Sequence, residues 1–177
     1  MKTYIALLRG INVSGHKKIL MADLKKLFKK LGHQEVQTYI QSGNVVFRSH
    51  SEASAKEYSE NISEAIKKKY GWEVPVLVIT PSEIKSILED CPFSNEIKEK
   101  SYFVLLQSVP SSLTISETEK IHYPNEEFVI TSTCVYLYSE IGAGKSKLST
   151  NFFERKLKVS ATARNYNTMV KLLSMVS

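Results

Sequence analysis

Residues 36–48 read VQTYIQSGNVVFR, two runs of β-favouring residues (36–40 and 45–48) joined by the turn QSGN at 41–44. Alternating apolar and polar residues on either side of a Ser-Gly-Asn turn predict a hairpin. Before it, residues 3–9 (TYIALLR) form a short apolar run. Leu20, Leu24, Leu27, Phe28 and Leu31 then recur at helical spacing, with Gly32 as a stop. After it, Ser54 and Glu57 make a capping box for a helix striped by Ala55, Tyr58, Ile62, Ala65 and Ile66 and closed by Gly71; residues 75–79 (PVLVI) give another strand. The order is βαββαβ, the split βαβ arrangement of ferredoxin-like domains.

A helix follows with Thr80 as cap, Pro81 in its first turn and Glu83 at its third position, ending near Cys91-Pro92. The remainder repeats the order: a strand at 101–107, a short helix near 115–121, strands at 128–131 and 135–138, and two closing helices. No last strand stands out, so the second half is expected either to be truncated or to share strands with the first. The expected fold is α+β, two ferredoxin-like halves covering 1–92 and 93–177.

At 177 residues, 42% of them apolar, the chain can bury a sound core. It has no membrane-length apolar run and no signal-peptide pattern, so a cytoplasmic protein is expected. Cys91 and Cys134 lack zinc or redox spacing and are expected as unpaired thiols. His16, His33, His50 and His122 have no ligand spacing, so no metal is expected, nor any cofactor.

Charge is unevenly placed. Residues 9–30 hold seven Lys or Arg against Asp23, and residues 141–171 hold seven against Glu154, so each stretch is +6 and the rest is negative overall. Such a field favours an anionic partner. Lys25, Lys26, Lys29 and Lys30 nonetheless fit the solvated side of an amphipathic helix.

Three polar clusters coincide with strand and helix ends: LLRGINVSGHKK (7–18), TYIQSGNVVF (38–47) and ATARNYNT (161–168). The first offers Arg9, Asn12 and Lys17 on a loop whose glycines permit outward-pointing amides, though it lacks dinucleotide-fingerprint spacing. The second offers Gln41, Ser42 and Asn44, where Ser and Asn also suit backbone hydrogen bonds of the turn. In the third, Arg164 and Thr168 are expected on one face at the start of the last helix, with Asn165 between them, as an anion clamp or as a fold-internal cap. Tyr166, Met169, Val170 and Leu173 are expected on that helix's apolar face.

The stretch IGAGKS (141–146) is not a phosphate-binding P-loop, because that motif needs glycine where Ser139 stands. Lys145, Ser146 and Lys147 remain candidates for a simpler phosphate contact ahead of a helix.

Residues 4–32, 36–47, GAGKSKLS (142–149) and TARNYNTMVKL (162–172) together resemble the uncharacterised bacterial family known as domain of unknown function 1697, across essentially the whole chain. The resemblance implies paired ferredoxin-like halves and no established activity. It carries over motif positions only: Arg9, Asn12, Gly15, Gln41, Ser42, Asn44, Gly142, Gly144, Ser146, Lys147, Arg164, Asn165 and Thr168. Ser14, Lys145 and Tyr166 depart from its usual glycine, arginine and tryptophan.

Three function classes follow. The chain binds a nucleotide, phosphorylated metabolite or nucleic acid through these loops; or it is an enzyme on an anionic small molecule, with His16 or a glutamate as base; or it is an interaction or oligomerisation domain. The aromatic RNA-binding pattern is missing from SGNVVFRS (42–49), which disfavours ordinary RNA-recognition-motif binding.

Overall fold

The computed structural model describes residues 1–176; residue 177, the last of the expected C-terminal half, lies outside the described residues. It contains two four-stranded antiparallel sheets. Contacts divide the chain into unit 1, Met1–Lys85 with the residues from Lys171 on, and unit 2, Ser86–Val170.

Unit 1 runs β1 (Lys2–Leu8), α1 (Met21–Lys30), β2 (Gln34–Tyr39), β3 (Asn44–Ser49), α2 (Ala55–Tyr70) and β4 (Val76–Ile79). Its sheet order is β2-β3-β1-β4, as the ferredoxin-like reading requires. Alternation along the strands turns Tyr4, Ala6 and Leu8 of β1 toward α1 and α2, where they meet Leu24, Phe28, Tyr58 and Ile62. Each large apolar side chain buried here stabilises the fold by about 1.5–3 kcal/mol. Ile5 and Leu7, on the opposite face, are also fully buried, which explains why β1 reads as a continuous apolar run.

The caps of α2 match the sequence. Ser54 Oγ accepts from the Glu57 amide at 3.2 Å, Glu57 Oε2 accepts from the Ser54 amide at 2.7 Å, and Gly71 closes the helix at φ 76°. The α1 stripe needs correction at its ends: Leu20 and Leu31 are exposed, and Ile19 is the buried residue before the helix. Leu20 and Leu31 are the cap residues on either side of α1, outside its helical turns, so the helical spacing that holds for Leu24, Leu27 and Phe28 does not set their direction.

The helix α3 (Pro81–Glu89) opens with reciprocal Thr80 and Glu83 hydrogen bonds, and the division between the units falls inside it. Unit 2 continues with α4 (Asn95–Glu99), β5 (Tyr102–Leu106), α5 (Ser112–Glu119), β6 (Glu126–Ile130), β7 (Cys134–Ser139), α6 (Thr150–Leu157), β8 (Ala161–Asn165) and the start of α7 (Tyr166–Ser174), whose residues from Lys171 on count with unit 1. The order β6-β7-β5-β8 repeats that of unit 1. Val104, Leu106, Val135 and Leu137 pack against Phe152, Phe153 and Leu157 of α6. On the other face, Tyr136 donates its hydroxyl proton to the Ile87 carbonyl of α3 at 2.9 Å.

β8 corrects the expectation of a missing or shared strand: each sheet is built from four strands consecutive along the chain. The sequence places these residues at the start of the last helix, because helical spacing begins directly after them. In the structure they pair with β5, from Tyr102 opposite Asn165 to Leu106 opposite Ala161. In α7, Met169 and Leu172 are buried while Val170 is exposed, so the buried face is rotated from the expected one. Cys91 and Cys134 are free thiols, and burial pushes Cys134 well above the ordinary thiol range.

Of the glycines, Gly43 is the one with no room for a Cβ. It sits at φ +87°, and a Cβ on it would lie 2.7 Å from Leu8 Cβ and 2.8 Å from Ile11 Cδ1. Gly15 has φ +78° but open space around it. Denaturant titration is therefore expected to show Gly43→Ala losing about 2–4 kcal/mol and Gly15→Ala about 1 kcal/mol.

Candidate functional site

In unit 1, β1 ends beside the starts of β3 and β4, so the loop 9–20, the turn 40–43 and the approach to β4 share one end of the sheet. The Leu8 amide donates to the Gly43 carbonyl at 2.8 Å and the Arg9 amide to the Pro75 carbonyl at 3.0 Å. Within the loop, Gly10, Asn12, Ser14, Gly15 and Lys17 all have φ between 46° and 78°. Asparagine tolerates this region better than most residues, and here its side chain does further work. Asn12 Nδ2 donates to the Ile19 carbonyl at 2.9 Å and the Gln41 carbonyl at 2.8 Å, while its Oδ1 accepts from the Ile19 amide at 2.9 Å. One side chain thus closes the loop on itself and pins it to the hairpin turn.

Asn44 has a comparable role. It is fully buried, and its Nδ2 donates to the Tyr39 carbonyl and to Ser42 Oγ, both at 3.0 Å. Lys17 Nζ donates to the Glu73 carbonyl at 2.6 Å. The structure therefore brings Arg9, Asn12, Lys17, Gln41, Ser42 and Asn44 to one end of the sheet, but commits Asn12 and Asn44 to holding it together. Arg9 is half-buried, whereas Gln41, Ser42, His16 and Lys18 are exposed.

In unit 2, Lys145, Ser146 and Lys147 lie on the loop between β7 and α6, and Arg164, Asn165 and Thr168 lie at the junction of β8 and α7. Both places are at the same end of the second sheet, on opposite sides of β5. Ser146 Oγ accepts from the Leu148 amide at 3.0 Å, a local turn bond, and Lys147 Nζ stands 5.3 Å from the Tyr123 ring centre. Lys145 and Lys147 are exposed.

The expected helical face of Arg164 and Thr168 is corrected, because Arg164 belongs to β8. Its side chain is 8% exposed, and one guanidinium nitrogen donates to the Ala163 carbonyl at 2.8 Å. Burial lowers its pKa to about 10, so it remains a cation at neutral pH. Asn165 Oδ1 accepts from the Thr168 amide at 2.9 Å, as a cap of α7.

Sequence reasoning passed over a third place. At the opposite end of the first sheet, a cleft of about 770 Å³ lies among the α1–β2 and β3–α2 connections and α2. His33 lines it, 7% exposed, between Phe47 at 4.4 Å and Tyr58 at 5.4 Å between ring centres. Among the described residues nothing hydrogen-bonds its Nδ1. Burial lowers its pKa below 6.5. Its partners are rings from residues far apart in sequence, so no spacing could announce it. Among the described residues, no three His, Cys, Asp or Glu side chains converge as metal ligands would, and no helix is long and apolar enough to cross a membrane.

A family model described as "Protein of unknown function (DUF1697)" matches residues 1–136, and the chain belongs to that family. The match takes in the Asn12 loop and the Gln41 turn and stops before residues 145–168. A conserved bacterial protein from Streptococcus pneumoniae shares the fold, with TM-score 0.76 and 24% identity over 99% of this chain and 98% of that one. No curated protein matches.

Two outcomes are expected. Asn12→Ala should lose about 1–3 kcal/mol in denaturant titration, because it strands the Ile19 amide and two carbonyls. For His33, the unfolded imidazole takes up a proton near 6.5 while the folded one resists it. Stability should therefore fall as pH drops from ~7.5 to ~5.5, and His33→Phe should lose less over that window. His50, Glu64, Lys67 and Lys68 line the same cleft and are unchanged in the variant.

Proposed function

We propose that this member of DUF1697 is a binding module for an anionic ligand, a nucleotide, phosphorylated metabolite or nucleic acid, taken by its basic loops. The observation that carries the reading is the Asn12-held loop. Its alternating left-handed residues sit on a stretch of net charge +6, with Gly10, Gly15 and Lys18 at the surface. Runs of amides in mixed left- and right-handed turns make concavities that suit anions, and pre-ordering lowers the entropy lost on binding. Arg9, Lys17, Gln41 and Ser42 surround this place, and the loop of unit 2 with exposed Lys145 and Lys147 on either side of half-buried Ser146 offers the same chemistry. Asn12 and Asn44 serve the ligand indirectly, by holding the backbone.

A second reading applies to Arg164, Asn165 and Thr168. The burial of Arg164 and the Asn165 cap favour a role in the fold over one in the ligand site.

A thermal-shift series against inorganic phosphate, nucleotides, sugar phosphates, and short RNA and DNA tests the proposal. A ligand at about 100 times its dissociation constant adds about 2.7 kcal/mol, which raises the melting temperature of a chain this size by roughly 5–10 °C. Such a rise in wild type, reduced in Lys17→Ala/Lys18→Ala or Lys145→Ala/Lys147→Ala, supports the reading and identifies the loop. A steep fall of affinity with salt for the oligonucleotides selects nucleic acid. No rise with any of these ligands contradicts it.

A further inference from the structure

We infer that the Asn12 loop and the adjoining hairpin turn of unit 1 form a contact surface for an anionic lipid bilayer, with Val13, Leu20 and Ile40 entering the headgroup region and lysines meeting the lipid phosphates. The inference rests on the anion reading above and names the partner that presents the anions.

Three aliphatic side chains stand in water around one amide. Val13, Leu20 and Ile40 are 58%, 57% and 48% exposed. Val13 follows Asn12 in the chain, Leu20 follows Ile19 and Ile40 precedes Gln41, and the Asn12 side chain bonds the main chain of Ile19 and Gln41 at 2.8–2.9 Å. The three positions are thus gathered within one residue of a single set of hydrogen bonds. Two of them also hold a poor choice for the local structure. Ile40 sits at φ 47°, a left-handed conformation in which a β-branched residue is an outlier. Leu20 is the N-cap of α1 and makes no side-chain cap bond, where Ser, Thr, Asp or Asn would satisfy a helix amide. Neither burial nor backbone conformation accounts for these residues, and a contact outside the chain does.

The charge beside them selects the partner. Lys18 is exposed, and Arg9 and Lys17 are half-buried. Of the carboxylates on the adjoining segments, Asp23 lies 3.6 Å from Lys26 and Glu73 lies 2.8 Å from Lys67. A rim of one sign repels a second copy of the same surface. Single-stranded nucleic acids stack on aromatic platforms, and protein interfaces favour aromatic residues, Met and Arg over Lys. Aliphatic side chains rimmed by lysine match neither. They match a bilayer interface, which takes shallow apolar side chains and attracts each Lys or Arg near its anionic headgroups. The Asn12 bonds assist, because main-chain groups satisfied within the loop cost less to bring out of water. No spanning element is needed: among the described residues no helix is long and apolar enough to cross a membrane.

The test is co-flotation of the full-length protein with vesicles of equimolar phosphatidylcholine and phosphatidylglycerol, and with vesicles of phosphatidylcholine alone. Wild type is expected to float with the mixed vesicles and to stay behind with the neutral ones. Leu20→Ser supplies the missing cap and Ile40→Asn suits the left-handed turn, so each should keep or raise the melting temperature. Each should nonetheless weaken binding to mixed vesicles about fivefold, the worth of part of a buried aliphatic side chain. Both should leave the thermal shift with soluble phosphates unchanged, whereas Lys17→Ala/Lys18→Ala should reduce that shift and the vesicle binding together. If soluble phosphates bind and mixed vesicles do not, the inference is overturned and the anion reading stands; if neither binds, both fall. The inference is also overturned if the two apolar variants bind mixed vesicles as wild type does, or if they weaken binding of short RNA or DNA and not of vesicles.

Discussion

The end of the first sheet is organised by one side chain, the Asn12 amide, which satisfies both main-chain groups of Ile19 and the carbonyl of Gln41. A twelve-residue excursion between a buried strand and a helix would otherwise leave main-chain groups to be satisfied piecemeal by water. Instead the loop is closed, and the turn it closes on is pressed so near that Gly43 has no room for a side chain. The rest of unit 1 is consistent with this constraint: β1 lies at the centre of its sheet, and its last residue hands the chain straight into the pinned loop.

This arrangement separates two roles that the polar clusters seemed to share. Asn12 and Asn44 spend their hydrogen-bonding capacity inside the protein, with Ser42 Oγ accepting from Asn44, while the Gln41, Lys145 and Lys147 side chains stand at the surface. The same sorting operates in unit 2, where Arg164 is buried in the strand end and Asn165 caps a helix. Side chains that hold a backbone rigid and side chains that reach a ligand can lie next to each other in sequence, and burial distinguishes them. Substituting a holding residue removes stability first, so the exposed lysines are the cleaner probes of binding.

Much of the fold was legible because two periodicities alternate cleanly. The hairpin at 36–48, the Ser54 and Glu57 box and the Thr80 and Glu83 box each rest on local rules that the tertiary structure leaves in force. β8 was not legible: its pairing with β5 depends on residues about 60 positions away, and Ala, Arg and Asn announce no strand around the single β-favouring Thr162. α4 escaped because its five residues bury no side chain. Of the sites, sequence located the polar clusters but could not see which carbonyls Asn12 and Asn44 would find. His33 was invisible for a related reason, since Phe28, Phe47 and Tyr58 surround it only after folding.

The most direct test is native-state hydrogen exchange at the Ile19 amide, which lies outside every helix and strand and donates only to Asn12 Oδ1 among the described residues. If Asn12 locks the loop, this amide exchanges as slowly as amides of the neighbouring sheet, and Asn12→Ala speeds it far more than it speeds those of β2. Exchange in wild type at the rate of an open surface loop would contradict the claim that this end of the sheet is held in place by Asn12.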